Sequence, residues 1–136
     1  MEVGRESAPV LLMGLDQYAY SREQRDRNEE TVDGEAFYWR KHSKLQEFME
    51  SIAMEREDMS PTDLNCGELE LYEEEIVRLM ELIKGNSLPE SGGGFFYGHQ
   101  FQDESAEEYK EQDLEFCKWA LEEIKDGDHV FYSCWW

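Results

Sequence analysis

Residues 37 to 42 read FYWRKH, so aromatic rings at Phe37, Tyr38 and Trp39 run directly into Arg40, Lys41 and His42. With Lys44 two residues on, this is the densest positive cluster in the chain. Such a set has a definite chemistry. A guanidinium offers a planar fork of donors to a phosphate or carboxylate, an ammonium adds a point charge, and an aromatic face stacks on a planar ring. On this reading Arg40 is the forked donor, Lys41 and Lys44 supply charge, and Tyr38 or Trp39 supplies the stacking face for an anionic, nucleotide-type ligand. The competing reading is structural: the cations pair with neighbouring carboxylates while their stems cover apolar surface. The residues leave both open.

Other reactive side chains lack the spacing that chemistry requires. His42, His99, His129 and the cysteines Cys66, Cys117 and Cys134 form no C-x-x-C, H-x-x-x-H or H-E-x-x-H pair, so neither a metal site nor a disulfide framework is expected. Cys66 has no thiol-enzyme signature around it. Adjacent acids such as Glu73 with Glu74, or Glu107 with Glu108, are explained by a solvated helix face in so acidic a chain. The stretch SGGGFFYG carries glycines but fails both the G-x-x-x-x-G-K-S/T and the G-x-G-x-x-G patterns, and reads as a turn into a core strand. No catalytic residue, metal or cofactor is therefore predicted.

Composition bounds the partners. The 136 residues hold 33 Asp plus Glu against 13 Lys plus Arg, a net charge of −20. That field repels nucleic acid and anionic membranes, so direct nucleic-acid binding is not expected. It suits either plain solubility or competition with DNA for a basic groove on another protein. The region from Asp103 to Asp128 holds 11 acids and 3 lysines, and Asp103, Glu104, Glu107, Glu108, Glu111 and Glu115 are its candidate interaction face. No segment is apolar over the roughly 18 residues of a membrane helix, and the N-terminus lacks a signal-peptide pattern. A soluble, cytoplasmic protein is expected, with self-association possible.

With 40% hydrophobic residues the chain is able to close one core. Residues 1 to 12 read as a flexible extension ahead of Met13, LLMGLDQYAY as a short extended segment, and residues 22 to 34 as an exposed charged loop. A helix is predicted from Glu35 to about Met54, with Tyr38, Leu45, Phe48, Met49 and Ile52 on its apolar stripe and Phe37 or Trp39 nearer the edge. CGELELY alternates as a short strand. EEEIVRLMELIK is the cleanest helix: Ile76, Leu79, Met80 and Ile83 share a face, acids fill its first turn, and Gly85 stops it. A third helix is expected from Ala106 to Lys125 with Ser105 as cap and Glu108 completing a capping box. HVFYSCWW should close the fold as a strand. The class is α+β, a single domain over residues 13–136 of about three helices packed with a minor sheet of short strands.

Taken together, MGLDQYAY (13 to 20), YWRK (38 to 41), NCGE (65 to 68), GGFFYG (93 to 98) and FYSCWW (131 to 136) resemble a family of small acidic proteins of tailed phages and prophages. The resemblance runs in order through nearly all of the chain from Met13. His42-Ser43 stands where that family often has Ala-Asn, and Cys134 where it often has Ser. What the resemblance implies is a non-enzymatic accessory protein made in a bacterial host cell and acting against host defence. Two mechanisms fit it. A pocket of aromatic and basic motif residues, Tyr38, Trp39, Arg40, Lys41, Lys44, Phe96 and Tyr97, sequesters a nucleotide-derived small molecule. Alternatively, the acidic surface imitates DNA and inhibits a host nucleic-acid-binding protein by direct contact.

Overall fold

The computed structural model describes residues 14–22, 36–56, 64, 67–91 and 101–136. The expected extension, most of the charged loop, Cys66, His99 and the GGFFYG segment with Phe96 and Tyr97 lie outside the described residues. The elements run β1 (Asp16–Arg22), β2 (Phe37–Arg40), α1 (Ser43–Glu55), β3 (Glu68–Leu71), α2 (Glu73–Lys84), α3 (Gln102–Lys125) and β4 (His129–Trp135). The strands make one antiparallel sheet in the order β2-β1-β4-β3. This is a small α+β domain, as the sequence predicts.

Because side chains alternate along a strand, the pairing register sorts the sheet into two faces. One is dry: Gln17, Ala19, Trp39, Leu69, Leu71, Val130, Tyr132 and Cys134 are buried and meet Leu45, Met49 and Ile52 of α1, Ile76, Leu79 and Ile83 of α2 and Phe116 and Ala120 of α3 in one core. Among the described residues, α1, α2 and α3 all pack on this first face, and the second face carries none of them. Its side chains fall in rows set by the register: Arg40, Asp16 and Trp135; then Tyr38, Tyr18, Ser133 and Glu68; then Tyr20, Phe131 and Glu70; then Arg22 and His129. The C-terminal strand therefore sits inside the sheet, hydrogen-bonded on both sides.

Several expectations need correction. The predicted helix from Glu35 begins only at Ser43, and Phe37–Arg40 is strand. Tyr38 is consequently 46% exposed while Trp39 is fully buried, the reverse of the helical stripe. Lys41 makes the break, holding a left-handed backbone with φ 56°, which is uncommon for a residue with a side chain. His42 follows as the helix cap without using its own side chain. Gln17 of β1 takes over there: its Oε1 accepts the His42 N–H at 2.9 Å and its Nε2 donates to the His42 carbonyl at 3.0 Å. Ser105 does not cap α3, which starts three residues earlier behind Phe101. Arg22, read as loop, belongs to β1 and is 9% exposed; its guanidinium lies 4.9 Å from the Phe131 ring centre and pairs with Glu68.

The α2 boundaries agree with the sequence reading. Tyr72 donates its N–H to Glu75 Oε1 at 3.0 Å, the reciprocal bond of a capping box.

Candidate functional site

The strand conformation splits FYWRKH between the two faces of the sheet. On the inner face Trp39 donates its indole N–H to Asp113 Oδ1 at 2.7 Å, and His42 Nε2 meets Asp113 Oδ2, also at 2.7 Å. Asp113 comes from the buried side of α3, so one carboxylate ties β2, the β2–α1 corner and α3 together. The His42 ring stacks on Tyr109 at 5.1 Å. A second chain of bonds adjoins it: Gln17 Nε2 donates to the Tyr132 hydroxyl at 2.9 Å, and that hydroxyl donates to Gln46 Oε1.

An Asp–His pair invites comparison with hydrolytic triads, which need a nucleophile and access to substrate. Here His42 is 0% and Asp113 1% exposed. Burial and the nearby Asp113 charge push the Cys117 thiol up to about 12, so it is not a thiolate at neutral pH. The network holds the fold together and is closed to substrate.

On the outer face Tyr38 donates its hydroxyl to Asp16 Oδ1 at 2.6 Å and Arg40 Nη1 meets the same oxygen at 2.9 Å. Burial first, and then the Asp16 carboxylate, raise the Tyr38 phenol above its ordinary range. Tyr18 packs beside Tyr38 with ring centres 5.4 Å apart. Trp135, directly across from Asp16 on β4, is 55% exposed. The free edge of β2 is covered by α3: Tyr109 accepts the Arg40 N–H at 3.0 Å, and Gln112 donates to the Tyr38 carbonyl at 2.7 Å. An uncovered edge would be a template for pairing with another chain.

The five described members of the predicted ligand set thus do not converge. Tyr38 and Arg40 share the outer corner with Lys41 at its end, while Trp39 is buried beneath them. Lys44 lies elsewhere, paired with Asp103 at 2.8 Å, and lines a cleft of about 220 Å³ with Ile83, Asn86, Leu88 and Lys110. Sequence reasoning missed Tyr18 and Trp135, the other rings of the corner. The antiparallel pairing brings them there, and only the MGLDQYAY and terminal aromatic motifs hinted at them.

The predicted acidic residues do share one face. Asp103, Glu104, Glu107, Glu108, Glu111 and Glu115 are all exposed, and at 3.6 residues per turn they fall within an arc of roughly 140° on α3. The opposite side of α3 is Asp113, Phe116, Cys117 and Ala120, all buried. Among the described residues no group of three or more His, Cys, Asp or Glu is placed to hold a metal ion, and no helix is long and apolar enough to cross a membrane.

The described residues make a small α+β domain with one acidic helix face and a second sheet face on which Tyr38 and Trp135 are exposed while Tyr20, Phe131 and Arg22 are buried. Comparison with family models, with curated proteins and with solved structures finds no match.

Proposed function

We propose that the protein is a non-enzymatic binding protein whose acidic α3 face engages the basic groove of a nucleic-acid-binding protein. The observation that supports this reading is the density of that face. Six carboxylates occupy twelve residue steps of α3, which at about 1.5 Å per residue is about 18 Å, or one charge every 3–4 Å along the axis. One strand of duplex DNA carries a phosphate every 3.4 Å or so of axis. The face therefore offers a groove lined with Lys and Arg a charge density comparable with one DNA strand, and its acids are exposed. Lys44 pairs with Asp103 and so offsets one of the six charges, while Lys110 bonds Asn86. The phage resemblance fits such a role against a host factor.

Sequestration in an enclosed pocket is less well supported, because the described residues assigned to it lie on two sheet faces and a separate cleft. The test is a pull-down from bacterial lysate at about 50 mM salt, where charge-driven association is strongest. Wild type should retain a nucleic-acid-binding protein that duplex DNA elutes. The variant Glu104→Gln/Glu108→Gln/Glu111→Gln/Glu115→Gln, with its melting curve unchanged, should retain none. If no DNA-competed protein is recovered, or the variant keeps it, the proposal fails.

A further inference from the structure

The packing of α2 against α3 leaves a groove that the acidic face does not account for. The two helices run antiparallel, since Asn86 just past α2 meets Lys110 near the start of α3, while Glu73 and Val77 of α2 meet the far end of α3. There, with Leu121, Glu122, Ile124 and Lys125, they line a hollow of about 320 Å³. A second hollow of about 240 Å³ shares Glu73 and Ile124 with it and continues past Tyr72 to Asp128 and His129. Val77 is 40% and Tyr72 47% exposed, and Leu121 and Ile124 are half-buried. Single exposed apolar residues are ordinary, whereas apolar residues gathered in one place and rimmed by charge mark interaction sites. Neither Val77 nor Tyr72 belongs to the buried stripe of α2, which is Ile76, Leu79 and Ile83. Tyr72 stands at the N-cap of α2, where small polar residues are usual, and its ring stays exposed with the Arg56 guanidinium 4.7 Å from its centre.

The rim is acidic. Glu70, Glu73, Glu122 and Asp128 line the two hollows against Lys125 and His129; Glu70 pairs with His129, and Arg56 is paired with Glu75. Burial first, and then the neighbouring Glu123 and Asp126 carboxylates, hold the Asp128 carboxyl above its ordinary range. Negative charge is therefore crowded at this end of the groove. The chain has 33 acids to 13 Lys and Arg, so its own cations cannot neutralise them all.

We infer that this groove docks an amphipathic, basic helix of a partner protein. The apolar stripe of that helix lies against Tyr72, Val77, Leu121 and Ile124, and its flanking Lys or Arg meet Glu73, Glu122 and Asp128. A helix laid into an apolar groove buries its stripe as a third helix of a bundle does. Charge complementarity selects this occupant. A second copy of the chain, at −20, brings net like charge to an acidic rim, and a neutral apolar segment leaves the carboxylates without a counter-charge. The groove uses none of the six carboxylates of the acidic face, so the two readings stand or fall separately.

The probes are three synthetic peptides of one length: a helix with a Leu stripe flanked by Lys, the same residues in scrambled order, and the first peptide with Glu in place of Lys. Binding is followed by calorimetry and by methyl NMR shifts at about 0.15 M salt, where diffuse attraction to an acidic protein is largely screened. The Leu–Lys helix should shift Val77, Leu121 and Ile124 and bind at least about tenfold more tightly than either control. Tyr72→Ser/Val77→Ser removes apolar contact without changing charge, and should weaken binding about tenfold or more while the melting curve stays near that of wild type. Glu122→Gln/Asp128→Asn should lower both the affinity and its dependence on salt. The variant Glu104→Gln/Glu108→Gln/Glu111→Gln/Glu115→Gln leaves the groove in place and should show the same methyl shifts as wild type. No binding, equal binding of the scrambled peptide, equal binding by Tyr72→Ser/Val77→Ser, or shifts spread along the acidic stripe of α3 in place of the groove overturns the inference. So does a dimer in sedimentation that Tyr72→Ser/Val77→Ser dissociates, because the groove then belongs to a second copy of the chain.

Discussion

Replacing Asp113 with alanine tests whether the buried network is what joins α3 to the sheet. The substitution strips the acceptor from Trp39 Nε1 and from His42 Nε2, each 2.7 Å away, in a region where neither donor reaches water. An unsatisfied buried donor costs about 1–3 kcal/mol, and two such groups left without their acceptor together put the loss at about 3–5 kcal/mol. A loss of about 3–5 kcal/mol is a large part of the 5–15 or so that a domain commonly has. At about 2.1 cal/mol/K per residue, 136 residues have an unfolding entropy near 0.29 kcal/mol/K, so the melting temperature should fall by about 10–17 °C. Asp113→Asn keeps the shape and one acceptor oxygen for Trp39, and should lose less than half as much. Asp103→Ala breaks the pair with Lys44, but Asp103 is 84% exposed, and such pairs are worth about 0–1 kcal/mol. Thermal and urea unfolding of the three variants side by side measures the contrast. If Asp113→Ala melts within about 3 °C of wild type, or no lower than Asp103→Ala, the network does not carry the stability assigned to it.

The two terminal tryptophans should respond differently. Trp135→Ala, at an exposed position, should change stability by no more than about 0.5 kcal/mol, whereas Trp136→Ala, which packs against the core, should cost about 1–3 kcal/mol in urea unfolding. Truncation after Val130 removes most of the strand between β1 and β3 and should abolish cooperative unfolding by circular dichroism. Cys117 makes stability fall with alkalinity. Its folded pKa is raised, so above about pH 9 the unfolded chain releases a proton that the folded chain keeps, and each pH unit up to about 12 costs roughly 1.4 kcal/mol. Cys117→Ala should flatten that decline by up to one proton, and a slope unchanged between pH 9 and 10 would contradict it.

Much of the helical layer was legible. EEEIVRLMELIK carries its own stripe, its acidic first turn and its stop at Gly85, all local signals, and it folds as read. Glu104, Glu108, Glu111 and Glu115 recur at helical spacing, so their common exposure on α3 followed once the helix was assigned. FYWR failed for a physical reason. Four residues are too few for period-two alternation to outweigh the helical spacing of Leu45, Phe48, Met49 and Ile52 just downstream. The break falls at Lys41, where no glycine or proline announces a left-handed residue.

The sequence by itself therefore determined the class, the acidic helix and the gathering of aromatic and basic residues at one place in the chain. Local spacing encodes those. Only the tertiary structure decided which way each of those residues points. Pairing β2 with β1 turned Trp39 inward to Asp113 and set Tyr38 and Arg40 beside Tyr18 and Asp16, and pairing β4 on the other side of β1 set Trp135 opposite Asp16. These partners lie as many as 119 positions apart, from Asp16 to Trp135, and such contacts arise from strand pairing that no local pattern specifies.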